Sequence, residues 1–289
     1  MAEKVYLNGK LIDGDEAKVT VFDAGLQHGV GLFETMRSHR GSIFRLGAHV
    51  SRLKTSAAQF GMVIDGDDES FAHAIGELLT ANGLSDARIR ITVTAGSVRV
   101  GIHVSAQSPP TTLITCGALA PMDEQVYQNG VGVLLSDYRL SRTDPIARHQ
   151  TTSFLPRLLA LRTAQRTGMA DAVWFTESGY LAGGSTGNIF LFKDDRLMTP
   201  SLDLPVVDGI TRKAVLEIAR ELQIPVEEGK YSLQDLLSAT EIFHTSSVME
   251  IVPVVAIEKH SVGDRAVGTV TRTFLQKYRR LVRKELGIG

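Results

Sequence analysis

The stretch of this chain best suited to chemistry is the start of a predicted helix just after residue 209. Asp208 and Gly209 interrupt the preceding pattern, and Thr211 begins a helical repeat of apolar residues. This repeat places four apolar side chains on one helix face: Val215, Ile218, Ala219 and Leu222. Because the first N–H groups of a helix lack backbone partners and carry the positive end of the helix dipole, residues 209–211 can hold a phosphate. Most helix starts bind only water, so the pattern alone favours water over an anion.

A hairpin and a glycine-rich turn precede this helix and must position its start. Residues 188–193 are a β-branched and aromatic run, Asp194 and Asp195 form a turn, and residues 196–199 run back. Upstream of the hairpin lie residues 183–187, which we call the glycine turn. Turn, hairpin and helix together are the piece around which we interpret the rest of the chain.

The order of these pieces resembles the class IV aminotransferases. These are pyridoxal-phosphate enzymes that include the branched-chain and D-amino-acid transaminases and aminodeoxychorismate lyase. The matching segments are GGSTGNIF at 183–190, TP at 199–200 and DGITR at 208–212. The resemblance extends over almost the whole chain. It implies an α/β (α+β) fold with a small N-terminal α/β domain and a larger C-terminal α/β domain.

Length and composition exclude several other classes of protein. At 289 residues the chain can bury a large core, and its 31 Lys and Arg against 32 Asp and Glu favour neither nucleic acid nor an anionic membrane. No apolar run approaches the ~20 residues that span a bilayer, and the start MAEKVYLNG lacks the apolar segment of a signal peptide. The single Cys116 cannot form an internal disulfide, and no Cys/His cluster suggests a metal. We therefore expect a soluble, cytoplasmic protein.

The N-terminal part shows clear hairpin, strand and helix patterns. Asn8 and Gly9 are a strong hairpin signal between two short strands. Gly25, Gly29 and Gly31 predict a flexible approach to the next strand. Further predicted strands are at 18–22, 32–38, 42–45, 88–94 and 111–116, and predicted helices are at 46–60 and 67–82.

The C-terminal part continues with the same two patterns. Strands are predicted at 130–137, 171–176, 241–245 and 249–257, a loop at 138–149, and helices at 152–167 and 267–286. The first helix is expected to bury Phe154, Leu158, Leu159 and Leu161, and the second Phe274, Tyr278, Leu281 and Leu286. Because GALAPMD at 117–123 interrupts the pattern, we predict domains at 1–117 and 124–289, joined by a linker at 118–123.

The resemblance assigns a phosphate-binding role to several polar residues. FETMR at 33–37 followed by HVSRL at 49–53 matches the family's N-terminal signature, whose arginine contacts the cofactor phosphate and is here Arg52. A planar guanidinium suits this role because it donates two parallel hydrogen bonds to phosphate oxygens. The family's second phosphate loop matches Thr245, Ser246 and Ser247. With Gly209, Ile210 and Thr211, these residues form the predicted phosphate cup.

The lysine that the resemblance requires is missing. Members of this family use one lysine to hold pyridoxal phosphate as a Schiff base and to move the α-proton. The matching segment here reads ARHQTTSFLPRLLAL, which places Gln150 at the lysine position. A carboxamide cannot form an imine and has no useful basicity. Lys193, in the hairpin, and Lys213, inside the helix after Thr211, are not obvious substitutes.

Two further positions depart from the family pattern. The family's glutamate that pairs with the pyridine nitrogen corresponds to Gly183, and a tyrosine that contacts the cofactor's phenolic oxygen corresponds to Phe154. The second change is weaker, because some members carry leucine there. The groups for phosphate binding are thus present while those for imine chemistry are absent, either in the natural protein or through engineering. We predict that pyridoxal phosphate binds at most noncovalently, with no cofactor as the alternative.

Three functions remain open from the sequence. The first is a catalytically reduced homologue, or pseudoenzyme, that binds a small acidic or phosphorylated molecule. The second is imine-independent lyase or hydrolase chemistry in the same pocket, with His149, His28 or Glu34 as acid or base. His149 is the sharpest of these, although a histidine here is more often a structural hydrogen-bonding group. The third is ordinary transaminase or lyase activity through another lysine. The resemblance also implies a homodimer, and the balanced charge predicts no nucleic-acid or membrane partner.

Overall fold

The computed structural model describes residues 3–98, 109–119 and 123–289. The predicted α/β fold with two sheets and packed helices is confirmed. The predicted domain ranges 1–117 and 124–289 stay predictions, and residues 120–122 of the predicted linker lie outside the described residues.

The chain divides into two compact units whose members are not contiguous in sequence. The first unit combines Met1–Ala120 with His149–Ser153 and Glu285–Ile288. The second unit combines Pro121–Arg148 with Phe154–Lys284 and Gly289. His149–Ser153 therefore belongs to the unit formed mainly by the N-terminal part of the chain, although the sequence placed it in the larger C-terminal domain.

In the first unit, helices cover one face of an antiparallel sheet. Its strands are β1 (Lys4–Leu7), β2 (Lys10–Asp13), β3 (Gly31–His39), β4 (Ser42–Ile43), β5 (Ala87–Thr94) and β6 (Thr111–Ala118), in the order β2-β1-β6-β5-β3-β4. Its helices are α1 (Ala24–His28), α2 (Leu46–Gln59) and α3 (Asp68–Ala81). The core consists of apolar side chains from α2, α3 and β5, among them Val50, Leu53, Phe71, Ile75, Leu78, Ile89 and Ile91.

In the second unit, strands form a mixed sheet with helices packed on it. Its strands are β7 (Val131–Leu140), β8 (Asp171–Thr176), β9 (Leu181–Gly184), β10 (Asn188–Lys193), β11 (Arg196–Pro200), β12 (Val226–Gly229), β13 (Glu241–Ser246), β14 (Glu250–Ile257) and β15 (His260–Ser261). Its helices are α4 (Glu124–Asn129), α5 (Leu155–Arg166), α6 (Ile210–Glu221), α7 (Leu233–Leu237) and α8 (Thr269–Leu286). The strand order is β12-β11-β10-β13-β14-β7-β8-β9, with β15 paired to β14.

Most long predicted elements are confirmed, and the short ones account for the errors. The strand predicted at 18–22 is wrong: residues 17–20 have no regular structure, and Val21 and Phe22 lie in a turn with exposed side chains. The segment after Asp23, predicted to be flexible, contains the helix α1. The Asp23 carboxylate caps this helix by accepting the Gly25 N–H. Helices α1 and α4 are too short for a hydrophobic repeat to reveal them.

The predicted buried face of α5 is also wrong. Its buried residues are Ala160 and Ala164, whereas Leu155, Leu158 and Leu159 are 62%, 38% and 38% exposed. Small alanines permit close packing of this helix on the sheet, so the leucines project away from the core of the second unit. The helix also begins at Leu155 rather than 152, because the Thr152 and Ser153 hydroxyls donate to the Gly29 carbonyl. No helix among the described residues is long and apolar enough to cross a membrane.

Candidate functional site

In the first unit, Arg52 is held by a buried carboxylate. Glu34 on β3 is 1% exposed and accepts hydrogen bonds from Arg52 Nε at 2.8 Å and Nη2 at 2.6 Å. Nδ1 of His49 lies 2.7 Å from the same carboxylate. Strand alternation explains the burial, since Glu34 shares its face with the core residues Leu32 and Met36. Both Arg52 and His49 project from α2, so the cluster joins this helix to the sheet.

The charge of Glu34 is set by its two partners. Burial raises the pKa of this carboxyl, but the guanidinium of Arg52 and the hydrogen bond from His49 outweigh burial and hold the pKa below its ordinary value of 4.5. Glu34 is therefore a fixed anion that orients Arg52. Its geometry does not favour the acid or base role that the sequence left open for it.

The segment that carries Gln150 runs along the first residues of β3. The carbonyl of Gln150 accepts the Phe33 N–H at 2.8 Å, and the Thr152 N–H donates to the Gly31 carbonyl at 2.9 Å. Leu32 and Thr151 form an isolated antiparallel bridge between these two hydrogen bonds. The backbone at position 150 is therefore hydrogen-bonded to Phe33, the residue that precedes the buried Glu34.

The two histidines proposed as acid or base have different surroundings. Nδ1 of His149 lies 2.9 Å from the Ser56 hydroxyl, and its ring meets the edge of Phe60 with centroids 4.9 Å apart. His28 is exposed at the end of α1. The contacts of His149 are those of a histidine that anchors a loop to α2, and its catalytic role stays a prediction.

In the second unit, the glycine turn approaches neighbouring backbone too closely for larger residues. Gly183 has φ +150°, and a Cβ there would lie 3.1 Å from the Gly187 carbonyl oxygen. A Cβ on Gly187 would lie 2.1 Å from the Thr245 carbonyl oxygen, and one on Gly184 would lie 2.9 Å from the His244 ring. A glutamate at position 183 would therefore need a strained backbone.

A buried carboxylate and a neighbouring histidine support the glycine turn. Asp171 accepts the N–H groups of Ser185 and Thr186 at 3.2 Å and 3.3 Å and the Thr186 hydroxyl at 3.0 Å. Nε2 of His244 lies 3.4 Å from Asp171 Oδ2. Burial lowers the pKa of His244, against the opposing effect of Asp171. Three donors of the turn thus converge on a single aspartate, in addition to the backbone bonds of Gly184 with Gly187 and of Ser185 with Ala172.

The start of α6 lies against the strand that follows the glycine turn. Gly209 occupies the N-cap position with no side-chain cap, and a Cβ there would lie 2.1 Å from Asn188 Oδ1. Asn188 donates to the Val207 carbonyl at 2.9 Å and pairs across the sheet with Thr245. The structure therefore places both Gly209 and Thr245 next to Asn188, and the first N–H groups of α6 lack helical acceptors.

Two buried hydroxyls in this region have no hydrogen-bond partner among the described residues. They are Thr211 Oγ1 and Thr245 Oγ1, on residues that are 3% and 1% exposed. Buried hydroxyls are almost always paired, so each is suited to a ligand oxygen. Ser246 accepts the Met249 N–H at 3.1 Å through its hydroxyl and thereby closes the turn that carries Ser247. These features fit a phosphate group at the N-terminus of α6.

The predicted site residues are distributed over the two units. Arg52, His149 and Gln150 belong to the first unit, and Gly183, residues 209–211, Ser246 and Ser247 belong to the second. Lys193 donates to the Ser238 hydroxyl at 3.0 Å, and Lys213 forms an ion pair with Asp208 at 2.8 Å. Both amines thus have partners of their own. No group of three or more His, Cys, Asp or Glu in the described ranges could hold a metal.

The structure adds an arginine that the sequence did not single out. Arg157 on α5 donates through Nη1 to the Gly184 carbonyl at 3.0 Å and lies over the Trp174 ring at 5.5 Å. Tyr138 stacks on the same ring, and Trp174 donates to the Ser185 hydroxyl at 2.9 Å. The sequence offered no signal for this contact, because α5 and the glycine turn are separated by strand β8.

These observations define an α/β protein with a candidate phosphate site in its second unit. The chain belongs to the class IV aminotransferase family, because the model of that family, described as amino-transferase class IV, matches residues 31–257. The family depends on pyridoxal phosphate.

Several relatives match nearly the full chain. A putative branched-chain-amino-acid aminotransferase of Methanocaldococcus jannaschii is 34% identical over 96% of this chain and 95% of its own. The aminodeoxychorismate lyase of Bacillus subtilis is 29% identical over 96% of this chain and 94% of its own. The crystal structure of the branched-chain amino acid aminotransferase of Escherichia coli is similar with a TM-score of 0.91 and 27% identity, over 98% of this chain and 95% of that one.

The residues present fit only part of the cofactor that the family uses. The unpartnered hydroxyls of Thr211 and Thr245 and the uncapped start of α6 fit its phosphate. Gln150, which the resemblance aligns with the family's lysine, offers no amine, and Gly183, which it aligns with the family's acid, offers no carboxylate. We therefore derive no catalytic step through pyridoxal phosphate.

Replacing Glu34 tests whether its buried charge organises the first unit. Glu34→Gln removes the anion and leaves Arg52 without its carboxylate, so we expect the free energy of unfolding at pH 7 to fall by on the order of 3 kcal/mol. Because the folded state lowers the pKa of Glu34, its contribution is complete above pH 4.5 and is lost as the pH falls through the lower folded-state value. Urea denaturation at neutral and acidic pH measures this difference.

The matched control is Glu77→Gln, on the exposed face of α3. It removes the same charge from the same unit and should change the stability by less than about 0.5 kcal/mol. A gap between Glu34→Gln and the unmodified protein that stays constant down to pH 3 would contradict the assigned charge of Glu34.

Proposed function

We propose that this protein binds a small phosphorylated molecule noncovalently in its second unit and has no ordinary transaminase activity. The observation that carries the proposal is the pair of buried, unpartnered hydroxyls on Thr211 and Thr245 beside the uncapped start of α6. An unsatisfied buried hydroxyl costs ~1–3 kcal/mol, so a ligand oxygen that pairs with it binds favourably. Pyridoxal phosphate is one such molecule.

The absence of catalysis rests on the predicted alignment. Gln150 replaces the amine that would hold the cofactor, and Gly183 replaces the acid that would protonate its ring nitrogen. These two groups belong to one mechanism, since electron withdrawal by the ring is useful only when substrate is joined to it. Their joint replacement supports a coherent loss of that mechanism.

Amino-group transfer or lyase activity is the second candidate function. It is favoured by the names of the relatives, an aminotransferase and an aminodeoxychorismate lyase. It requires a lysine that forms a covalent bond to the cofactor. Lys193 donates to Ser238, and Lys213 forms an ion pair with Asp208, so neither amine is an obvious candidate.

We further propose that the protein forms a homodimer, with the exposed face of α5 within the interface. Family resemblance supports the assembly, and the exposed Leu155, Leu158 and Leu159 support this face. Fully burying an exposed leucine contributes ~1.5–3 kcal/mol, so completing the burial of these half-exposed leucines contributes about half as much each.

The first test measures anion binding. Thr211→Val keeps the side-chain shape and removes the hydroxyl, so we expect the affinity for inorganic phosphate and for pyridoxal phosphate to fall about tenfold. Without anion, the same variant should be as stable as the unmodified protein or slightly more stable, because a buried unpaired hydroxyl has been removed. Isothermal calorimetry and thermal unfolding measure the two effects.

Thr273→Val on the exposed side of α8 is the matched control and should change neither quantity. Equal affinities for phosphate in Thr211→Val and the unmodified protein would show that the site lies elsewhere.

A second test asks which residue can hold the cofactor covalently. Treatment of the unmodified protein with pyridoxal phosphate and borohydride should yield no stable pyridoxyl adduct, whereas Gln150→Lys should yield one at position 150. Peptide mass mapping locates the adduct. The control Gln165→Lys adds the same amine to exposed α5 and should remain unlabelled at position 165. An adduct on a native lysine in the unmodified protein would instead favour the second candidate function.

The third test concerns assembly. Leu159→Glu places a charge on the exposed face of α5 and should shift the protein from dimer to monomer in analytical ultracentrifugation, since burying an unpaired charge is costly. Val63→Glu introduces the same charge at a residue that is 74% exposed in the first unit and should leave the dimer intact. A monomeric unmodified protein at micromolar concentration is the result that would refute the proposed dimer.

A further inference from the structure

Arg157 presents a cation to the glycine turn from the first turns of α5. Its Nη1 donates to the Gly184 carbonyl at 3.0 Å and lies 3.5 Å from the Ser185 carbonyl oxygen. The guanidinium lies 5.5 Å from the centroid of the Trp174 ring, a distance at which the ring face attracts a cation. Helix, turn and ring therefore hold this guanidinium in one place.

No carboxylate within the described part of the chain forms an ion pair with Arg157. Burial lowers the pKa of this guanidinium, and Asp171 and Asp144 oppose that effect from a distance. Asp171 is already occupied by the backbone and hydroxyl donors of the glycine turn. A partly buried arginine held by carbonyl oxygens and an aromatic face retains donors for a ligand.

The glycine turn connects Arg157 to the proposed phosphate site of the same unit. The glycine turn that it contacts continues directly into Asn188, which adjoins Gly209 and pairs with Thr245. The contact on Gly184 is one residue beyond Gly183, where the resemblance expects a carboxylate. One end of this continuous stretch thus offers groups for a phosphate, and the other offers a cation where an acid was expected.

We propose that Arg157 makes this end of the site select a ligand group that accepts hydrogen bonds, namely a carboxylate or an unprotonated ring nitrogen. This inference rests on the proposed phosphate site and names the class of ligand for it: a phosphate ester that carries a second acceptor group. A guanidinium stays charged and can only donate, and a protonated pyridinium is also a cation that can only donate. The two repel each other, whereas a carboxylate or a neutral ring nitrogen pairs with the guanidinium.

Three synthetic probes separate the two acceptors from the phosphate. Benzyl phosphate has no acceptor on its ring, pyridin-3-ylmethyl phosphate has a ring nitrogen, and 3-carboxybenzyl phosphate has a carboxylate. We expect the unmodified protein to bind at least one acceptor probe about tenfold more tightly than benzyl phosphate in calorimetry. In Arg157→Gln this preference should disappear while the affinity for benzyl phosphate stays within about twofold.

Two further variants keep the result interpretable. Arg272→Gln removes the same charge from an exposed position on α8, outside the proposed interface, and should leave all three affinities unchanged. Arg157→Lys keeps the charge without the planar fork and should retain part of the preference for the carboxylate, even if Arg157→Gln is poorly folded.

The outcomes distinguish this inference from the proposed function. Tighter binding of the carboxylate probe identifies an acidic second group, and tighter binding of the pyridine probe identifies a neutral heteroaromatic ligand. Equal affinities for the three probes in the unmodified protein, or a preference that survives in Arg157→Gln, overturn the role of Arg157 alone. Failure of the unmodified protein to bind either benzyl phosphate or inorganic phosphate overturns the phosphate site, and the inference with it.

Discussion

Close backbone approach around Asn188 is the constraint on which the candidate site depends. The beginning of α6, the glycine turn and β13 all meet at this residue. A Cβ would lie 2.1 Å from a neighbouring atom at both Gly187 and Gly209, which is less than any ordinary contact. Because only glycine allows this approach, the N–H groups of α6 and the hydroxyls of Thr211 and Thr245 come to the same region. The proposed phosphate site is therefore a consequence of how the second unit packs.

The two units treat buried charge differently. In the first, Glu34 has two partners at hydrogen-bond distance, so its desolvation is offset and Arg52 is fixed. In the second, Arg157 has carbonyl oxygens and an aromatic face but no carboxylate at ion-pair distance in the described residues. The first arrangement offsets its own desolvation, whereas on our proposal the second is completed by an anionic or electron-rich ligand.

Sequence reasoning predicted the elements whose patterns are long enough to be read. The hairpin at Asn8 and Gly9, the helices α2 and α3 and the strands β8 and β10 follow from turn chemistry and periodicity. The five-residue α1 and six-residue α4 gave no repeat. The leucines of α5 suggested a buried face that its alanines occupy, because hydrophobicity alone does not say which surface covers a side chain.

The candidate site was predictable only where its parts are local in sequence. Residues 209–211 could be found because they form a recognisable helix start, and residues 245–247 because they match a short loop motif. The pairing of Arg52 with Glu34 was missed, although the alternation of Leu32, Glu34 and Met36 along β3 signals an inward carboxylate that needs a cation. Arg157 had no such signal, since its role depends on a carbonyl 27 residues away. Contacts of that kind arise from tertiary packing, which single-sequence patterns do not contain.

The proposed phosphate-binding positions and position 150 are under different physical constraints. A Cβ on Gly187 or Gly209 would collide with neighbouring atoms of the second unit, and Thr245 is buried, so replacing any of the three disturbs the fold whether or not the protein catalyses anything. Position 150 contributes a carbonyl to the Phe33 N–H, and any residue supplies that carbonyl. A lysine there would have been required by chemistry and not by stability. On our proposal that amino-group chemistry is absent, position 150 is therefore free to vary, whereas the packing of the fold maintains the proposed phosphate site.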